Sequence, residues 1–560
     1  MKKMLRINMR TKQIDCREAP LPYLQSGGRA LIARVLQEEV PPLCDPLGRE
    51  NKLVIATGLL TGGTVSNANR LSIGAKSPLT GGIKESNAGG IFAMRLANQG
   101  IKLLIIEDIP EEDTWYYLNI DRNGCEIVRA DAYRGMGTVD FFQAMRQTYP
   151  EAAISGIGPA GEYAYKLAGI AVSDLEGRPN RYCGRGGLGA VMGAKKIKGL
   201  IIPDKGTPPV IRDPKKYQEA VREYTRAVID APSTVSYRTL GTAAMVQTTN
   251  EMTGLPTRNF HGQKFAGADT LSGQALHALI QERGGVGKTS HACMPGCVIR
   301  CSNVVPDQEG AYVTAGLEYE TIALTGSNLC IDDLDTVAKI NAACNDIGID
   351  TIETGAVIGV AMEAGLLPFG DGDGVLKLLE EIRNHTEIGK LLGEGTYRAG
   401  KHWGVKHLPV INKQAFPAYD PRTVVPMGIT YATSPMGADH TYGPGLHAQD
   451  PVEQTRQSQR LLAKIDSLGI CMFARVPVKD RLHLFVDMIN ARYGWDLTED
   501  WLDRLAEETL RNEQDFNQKA GFTKEDYRMP DAFTKTGIPA TGQVFSIDPD
   551  QLDQLRQWDD

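Results

Sequence analysis

Short apolar runs separated by glycine and other turn residues dominate the first 205 residues of the chain. Three of these runs, KLVIAT at 52–57, IKLLIIED at 101–108 and IKGLIIPD at 197–204, show a pattern typical of β-strands. From residue 213 onwards the apolar positions recur at helical spacing, for example over 213–230, 334–348 and 452–469. The pattern predicts a strand-rich N-terminal region followed by mainly helical regions.

Two loop-like stretches suggest where this chain divides into domains. Residues 203–214, PDKGTPPVIRDP, are rich in proline and charge, and residues 401–422 lack a periodic apolar pattern. We therefore expect an α+β protein with a β-rich domain at 1–205 and two mainly helical domains at 206–415 and 416–560.

Composition and charge narrow the possible functions. The 560 residues are 42% hydrophobic and 23% charged, which is ordinary for a globular protein. The formal net charge is −7 and no basic run occurs, so nucleic acid is a poor candidate partner. No apolar stretch is long enough to span a membrane, and no apolar segment of a secretory signal follows the basic start. These features predict a cytoplasmic protein without a membrane span.

Residues 87–106 and 184–202 share one order of features, namely a glycine-rich loop, a short helix and a strand. Backbone N–H groups at such a helix start can hold an anion such as phosphate. The second loop contains G-x-G-x-x-G, but the preceding LEGRPNRYC is polar and does not predict the buried strand that a dinucleotide fold needs. We therefore reject the Rossmann interpretation, and two tight turns with close packing are the alternative to phosphate binding.

Three of the ten cysteines stand close together in HACMPGCVIRC, as Cys293, Cys297 and Cys301. With a distant fourth thiolate, for which Cys471 is the candidate, they could hold a cubane iron–sulfur cluster. Four thiolates also bind zinc, although structural zinc sites usually combine two close ligand sets. The spacing alone leaves a cluster, a zinc site and unrelated thiols open.

Two segments share the pattern Asn/Asp-x-x-Gly-Ile-Asp/Cys: NDIGID at 345–350 and DSLGIC at 466–471. Each closes an amphipathic helix, and the glycines Gly348 and Gly469 suit a helix C-cap with positive φ. Carboxylates beside such a cap could accept paired hydrogen bonds from a flat, guanidine-like N–H edge, as a pterin presents. Two capped helices without a ligand are the simpler alternative, but one copy also carries Cys471.

Taken together, several strings resemble the tungsten- or molybdenum-dependent aldehyde:ferredoxin oxidoreductase family almost end to end. They are RLSIGAKSPLTGGIKESNAGG, GRGGLGAVMGAKKIKG, GLEYETIALTGSN, the two helix-end motifs, ATSPMGADH and EQDFNQKAGFTKEDYRMPDAF. The resemblance implies an N-terminal β domain that forms a base for two helical domains. It also implies tungsten or molybdenum held by two pterins (bis-molybdopterin or tungstopterin), one 4Fe-4S cluster, and Mg2+ bridging the pterin phosphates.

The resemblance also implies roles for individual residues. Contacts to the pterin phosphates and magnesium are expected at Arg70, Asn87 and Gly89, with matching positions in the second loop at Arg181, Tyr182 and Gly184. The two pterin-binding motifs are expected at Asn345, Ile349 and Asp350, and at Asp466 and Ile470. The cluster ligands are expected at Cys293, Cys297, Cys301 and Cys471. The acid/base pair beside the metal is expected at His440 and Glu320, with Glu318 as the alternative to Glu320.

The chain departs from the family pattern at three places. Its cysteines follow C-x3-C-x3-C rather than C-x2-C-x3-C, Asn345 stands where aspartate is usual, and Met436 stands where aldehyde-oxidising members can carry arginine. The cysteine spacing affects the cluster, Asn345 affects one contact to a pterin, and Met436 affects the substrate pocket.

The activity implied is oxidation of an aldehyde with water to a carboxylic acid. His440 would move the proton, and electrons would leave through the cluster to ferredoxin or a small iron–sulfur subunit. One alternative keeps the cofactors in a low-potential reductase subunit acting on a substrate such as an aromatic acyl thioester. Another is a non-catalytic zinc or iron–sulfur protein. A homodimer is an expectation from the family alone.

Overall fold

The computed structural model describes residues 2–262 and 264–558. Within these residues, the N-terminal part contains two six-stranded sheets. The first sheet comprises β1 (Lys3–Asn8), β2 (Ile14–Glu18), β3 (Leu53–Thr57), β4 (Leu71–Lys76), β5 (Ile83–Ala88) and β6 (Ile101–Glu107). The second comprises β7 (Tyr116–Asp121), β8 (Gly124–Arg129), β9 (Ala153–Gly156), β10 (Ile170–Val172), β11 (Arg181–Cys183) and β12 (Ile197–Ile202). The helices of this part are α1 (Leu21–Leu24), α2 (Gly28–Glu39), α3 (Phe92–Asn98), α4 (Thr138–Thr148), α5 (Pro159–Glu162) and α6 (Leu188–Ala194).

The two sheets have the same connectivity. Their strand orders are β2-β1-β6-β3-β4-β5 and β8-β7-β12-β9-β10-β11. In each, the first and sixth strands are parallel neighbours, while the other neighbours are antiparallel. The chain leaves the fifth strand of each sheet through a glycine-rich loop and a short helix, α3 or α6, and returns as the sixth strand. The repeated order of loop, helix and strand predicted from the sequence is therefore confirmed.

The three strands predicted from apolar runs are confirmed as β3, β6 and β12, and almost every residue in them is buried. The segment before Gly184 differs from the prediction because it forms the short strand β11. This strand pairs antiparallel with β10 at the end of the sheet. A dinucleotide fold needs a parallel β-α-β unit at this loop, so the Rossmann interpretation stays rejected.

The rest of the chain is mainly helical. Its helices are α7 (Pro214–Asp230), α8 (Pro232–Leu240), α9 (Met245–Glu251), α10 (Gly273–Arg283), α11 (Tyr319–Thr325), α12 (Leu334–Ile347), α13 (Thr351–Glu363), α14 (Gly372–Arg383), α15 (Glu387–Gly393), α16 (Thr396–His402), α17 (Val425–Thr433), α18 (Pro451–Leu468), α19 (Arg475–Val478), α20 (His483–Tyr493), α21 (Glu499–Lys519), α22 (Asp531–Thr534) and α23 (Pro549–Leu555). The periodic segments singled out in the sequence correspond to α7, α12 and α18. None of the helices in the part of the chain that the structure describes is long and apolar enough to cross a membrane.

Short strands within the helical part were not predicted. They are β13 (Lys288–His291), β14 (Ser302–Pro306) and β15 (Tyr312–Ala315) in one small sheet, and β16 (Val410–Ile411) and β17 (Gln414–Ala415) in another. The cysteine-rich segment is the connection between β13 and β14. The α+β fold class is confirmed, while the division of the chain at residues 205 and 415 stays a prediction.

Candidate active site

Both helix-end motifs rest directly on loops of the N-terminal sheets. Helices α12 and α18 end at Gly348 and Gly469, with φ values of +83° and +79°, so the predicted left-handed caps are confirmed. A Cβ at Gly158 would lie 2.3 Å from the carbonyl oxygen of Ile347, and a Cβ at Gly58 would lie 2.3 Å from that of Leu468. Only glycine permits these approaches, which place one helix end against each sheet.

The first half-site consists of Arg70, Asn87 and Asp466. The Arg70 guanidinium donates to the Asn87 side chain and, at 2.8 Å, to the Asn87 carbonyl oxygen. The backbone N–H of Arg70 donates to the Gly469 carbonyl at 3.0 Å. The Asn87 amide lies 3.4 Å from Asp466 Oδ1, and Ile470 is fully buried beside this cap. The structure thus brings together predicted residues from the first glycine loop and the second helix-end motif.

The second half-site consists of Tyr182, Gly184, Asn345 and Asp350. The Tyr182 hydroxyl donates to the Asn345 carbonyl oxygen, so Asn345 takes part through its backbone. Asp350 caps α13, with Oδ1 accepting the Ile352 N–H at 3.0 Å, and Ile349 forms a β-bridge with Ala168. Among the described residues, the atom nearest to a Cβ built on Gly184 is Asp350 Oδ1, at 3.8 Å. The space beside Gly184 would accept a ligand close to the Asp350 carboxylate.

Gly89 and Arg181 lie nearer to the cysteines than to the helix-end motifs. A Cβ at Gly89 would lie 2.9 Å from the Cys293 carbonyl oxygen and 3.2 Å from its sulfur. Arg181 is buried, with Nη2 3.5 Å from Nδ1 of His291, two residues before Cys293. These two predicted phosphate contacts therefore border the cysteine segment.

Asn67 links the separate cysteine segments. Its amide donates to the Cys297 sulfur at 3.3 Å, and its carbonyl accepts the Cys471 N–H at 2.8 Å. A hydrogen bond from the Cys293 thiol lowers the pKa of Cys297 to about 6, so Cys297 loses its proton more easily than an ordinary cysteine. No set of three or more His, Cys, Asp or Glu side chains within 2–262 and 264–558 is arranged to hold a single metal ion. Asn67 was missed because a lone loop asparagine carries no sequence signal.

His440 faces Glu320 rather than Glu318. His440 Nε2 lies 3.5 Å from Glu320 Oε1, while Glu320 Oε2 accepts the Ala418 N–H at 2.8 Å. Burial raises the pKa of Glu320. Glu318 instead accepts a hydrogen bond from the Thr242 hydroxyl at 2.6 Å. The geometry favours Glu320 as the partner of His440.

Each helix-end aspartate meets a buried arginine that the sequence did not single out. Arg29 holds Glu513 through two hydrogen bonds of 2.7 Å and lies 3.6 Å from Asp466 Oδ2. Arg185 lies 3.3 Å from Asp350 Oδ2 and 3.7 Å from a Glu353 oxygen. Arg185 stands within the GRGGLG loop, where a charged residue is a usable signal.

Met436, the departure near His440, is buried against β5. Its carbonyl accepts from Lys84 Nζ at 2.9 Å, and its sulfur accepts the Glu85 N–H at 3.2 Å. Burial lowers the pKa of Lys84 to about 8, while Nζ lies 3.9 Å from Asp439 Oδ2. A lysine on the neighbouring strand thus supplies a buried cation beside Met436.

Several buried polar atoms at these places lack a hydrogen bond from the described residues, as do others elsewhere in the chain. Buried atoms without a hydrogen bond from the described residues include Asp466 Oδ2, Arg181 Nε, Glu320 Oε1, His440 Nδ1 and both carboxyl oxygens of Glu85. Buried polar groups in folded proteins are nearly always hydrogen-bonded. A polar ligand lying between the half-sites and the His440–Glu320 pair would satisfy them, so the residues present fit a large polar cofactor.

Comparisons with known proteins agree with this arrangement. Residues 4–204 match the family described as "Aldehyde ferredoxin oxidoreductase, N-terminal domain", and residues 219–559 match "Aldehyde ferredoxin oxidoreductase, domains 2 & 3". The "Tungsten-containing aldehyde ferredoxin oxidoreductase" of Pyrococcus furiosus is 32% identical over 96% of this chain and 92% of that protein. The protein of the same description from Thermococcus kodakarensis has the same identity and coverage. The "Aliphatic sulfonate oxidoreductase, WOR-like subunit" of P. furiosus is 27% identical over 89% of this chain and 82% of that protein.

A solved structure shares the fold. It is the active site complex BamBC of benzoyl coenzyme A reductase in complex with 1,5-dienoyl-CoA, with a TM-score of 0.79 and 19% identity, covering 99% of this chain and 92% of that one. This likeness shows the shared fold, and the family and relative matches show that the chain is an oxidoreductase. The chain belongs to the aldehyde ferredoxin oxidoreductase family, which confirms the predicted family, fold class and enzyme class.

Proposed function

We propose that this protein oxidises an aldehyde with water to a carboxylic acid at a tungsten or molybdenum bis-pterin centre. The reaction RCHO + H2O → RCOOH + 2 H+ + 2 e− releases two protons and two electrons. Cys293, Cys297, Cys301 and Cys471 would hold one 4Fe-4S cluster, which would supply the path for electrons to ferredoxin or a small iron–sulfur subunit. When bound, the metal–pterin group supplies the redox chemistry, and the side chains of this chain bind, orient and move protons.

The His440–Glu320 pair is the observation that carries the proposal. The two side chains approach within 3.5 Å, and each keeps a buried atom without a hydrogen bond from the described residues. An imidazole can both accept and donate a proton, so His440 suits transfer of the proton that leaves the reacting water. Glu320, fixed by the Ala418 N–H, orients the imidazole.

The two half-sites would hold the two pterins. Asp466 offers a free carboxylate oxygen beside Asn87, and Asp350 lies beside the open space at Gly184. Such carboxylates suit the N–H edge of a pterin, and Mg2+ would accompany the pterin phosphates.

Arg70 belongs to the first half-site and also lies close enough to Cys471 and Cys293 to interact with their charge. Burial alone would lower the pKa of Arg70, but Cys471, Cys293 and Asp466 raise it. One guanidinium therefore senses charge on both the cluster ligands and the pterin motif.

Metal analysis of anaerobically purified protein, combined with a dye-reduction screen over aldehydes, tests the proposal. We expect tungsten or molybdenum, about four iron atoms and two pterins per chain, and aldehyde-dependent dye reduction. Glu320→Gln should lower the rate, whereas the matched variant Glu318→Gln should leave it near wild type. Zinc alone would overturn the proposal, as would a fully loaded protein that reduces acyl thioesters but oxidises no aldehyde.

A second pair of variants tests the fourth cluster ligand. Cys471→Ser should lose or convert the cluster, whereas Cys344→Ser should keep it because that buried cysteine stands within α12. A full 4Fe-4S electron paramagnetic signal in Cys471→Ser would show that another residue is the ligand.

A further inference from the structure

Glu85 on β5 is a buried carboxyl group without a partner. Its relative exposure is 2%, and neither oxygen has a hydrogen bond from the described residues. Burial raises the pKa of Glu85 to about 8, which outweighs the lowering effect of the nearby Ser72 hydroxyl on β4. Burying a carboxyl group in this way costs free energy, so its presence calls for a partner outside the protein.

The strand places Glu85 on the side of the first half-site. Side chains two residues apart on a strand share a face, so Glu85 and Asn87 point to the same side of β5. Asn87 on that face reaches Asp466, whose Oδ2 also lacks a hydrogen bond from the described residues. The nearby Arg29 guanidinium donates two hydrogen bonds to Glu513, and its remaining nitrogen, Nη1, lies 3.6 Å from Asp466 Oδ2, beyond hydrogen-bonding distance. Three carboxyl oxygens of Glu85 and Asp466 are therefore unsatisfied in one place.

The second half-site has no equivalent group. Counting back four residues from Gly89 gives Glu85, and counting back four from Gly184 in the duplicated sheet gives Asn180. The Asn180 amide donates to Asp174 at 2.9 Å and its oxygen accepts from Tyr312 at 2.8 Å. Asp350 in that half-site is held by Arg185 and the Ile352 N–H. Of the two half-sites, it is therefore the first that has carboxyl oxygens free to accept hydrogen bonds from a ligand.

We propose that Glu85 is a further pterin-binding residue. Together with Asp466 it accepts hydrogen bonds from the guanidine-like N–H edge of the pterin at the first half-site. This edge carries several parallel donors, so it can donate to both carboxyl groups. The inference rests on the proposed function, because it assumes that a pterin occupies this half-site. It makes the two half-sites unequal, with two acidic contacts, Glu85 and Asp466, for one pterin and one, Asp350, for the other.

The test compares Glu85→Met and Glu85→Gln with the control Asn180→Ala. Each chain is produced in cells that make the pterin and in cells that do not. After dialysis, we expect Glu85→Met to retain roughly tenfold less pterin than wild type, the effect of losing one hydrogen bond. The pterin content of Glu85→Gln should lie between those of wild type and Glu85→Met, because its amide oxygen still accepts a hydrogen bond. Asn180→Ala should retain as much pterin as wild type.

Stability of the pterin-free chain separates a binding role from a structural one. Removing an unsatisfied buried carboxyl should leave the unfolding midpoint of pterin-free Glu85→Met equal to or above that of wild type. A lower midpoint would show a structural role and overturn the inference. Full pterin retention in Glu85→Met, with wild type loaded, would overturn it while leaving the proposed function intact. Wild-type protein purified without pterin would overturn the proposed function itself.

Discussion

At the scale of single residues, two glutamates in one short string have different environments. Glu318 precedes α11 in an extended conformation, with φ −94° and ψ 163°, and accepts from Thr242. Glu320 lies in the first turn of the helix and faces His440. The change from extended to helical backbone between them turns their side chains toward different neighbours, which sequence spacing alone does not reveal.

Replacing His440 tests the catalytic pair. His440→Ala should keep metal, pterin and iron but lower turnover by roughly 10²–10⁴-fold, the usual range for a positioned acid/base group. Metal content and dye-coupled rate are measured on the same sample. A histidine with only a structural role would instead lose cofactor or stability, and a loaded, fully active variant would remove His440 from the mechanism.

The buried carboxyl of Asp466 should make stability depend on pH. Burial raises the pKa of Asp466 to about 6, against about 3.9 for an unfolded aspartate. The folded state therefore binds the proton more tightly, and this contribution to stability is lost as the pH rises from about 4 through about 6. Asp466→Asn cannot lose a proton, so pterin-free Asp466→Asn should gain stability over wild type across this range.

Thermal unfolding of the two pterin-free chains at several pH values measures that difference. It should grow between about pH 4 and about pH 6 and stay constant above. A difference that is the same at every pH would show that the Asp466 carboxyl ionises as easily in the folded as in the unfolded chain.

At the scale of elements, the two helix ends present different groups to the half-sites. Asn345 takes part through its backbone carbonyl oxygen, which accepts a hydrogen bond from Tyr182. Asp466 takes part through its side-chain carboxylate, which accepts from Asn87. Asp466→Ala should therefore lower pterin and metal content more than Asn345→Ala, because alanine keeps the carbonyl but removes the carboxylate. Charge-assisted hydrogen bonds are about twice as strong as neutral ones, which adds to the difference. Equal occupancy in the two purified variants would contradict this account.

Local patterns in the sequence were enough to predict many of these elements. Strands β3, β6 and β12 and helices α7, α12 and α18 each carry their own periodic apolar pattern, and the glycine caps follow from the need for positive φ. Strands β11 and β13 to β15 are short and partly polar, so they depend on pairing with distant segments. Their positions could not be derived from local sequence.

Residues of the candidate site could be predicted only where they stand in a recognisable sequence motif. His440, Glu320 and the helix-end motifs stand in recognisable segments, whereas Glu85 looks like any charged residue on a half-exposed strand. Its burial results from α2 and the C-terminal helices covering that face of the sheet. Arg29 and Glu513 are separated by 484 positions, and no local signal connects them. Such contacts arise from packing of the whole chain.

At the scale of the whole molecule, the two ends of the chain share one core. Helix α2 from the N-terminal part packs against α18 and α21 from the C-terminal part, in a cluster that includes Leu31, Leu462 and Phe516. The first half-site lies where these parts meet, and the second lies between the other sheet and the end of α12. A cofactor bound to both half-sites would connect three parts of the chain.

The Arg29–Glu513 pair should be important for this connection. Both side chains are almost completely buried, with exposures of 1% and 0%. Glu513→Gln would leave the Arg29 guanidinium without its charged partner in the core, so the free energy of unfolding should fall by about 3–5 kcal/mol. Denaturant unfolding of the pterin-free chain, followed by circular dichroism, measures the change.

The same two helices provide a matched control. Arg34 of α2 and Glu508 of α21 also form an ion pair, at 2.5 Å, but their side chains are 21% and 45% exposed. Glu508→Gln should cost less than about 1 kcal/mol because water replaces much of the lost interaction. The double variant Arg29→Met/Glu513→Leu should recover much of the stability lost in Glu513→Gln, since it removes the stranded charge. Equal losses of unfolding free energy in Glu513→Gln and Glu508→Gln would show that burial does not strengthen the contribution of the Arg29–Glu513 pair to stability.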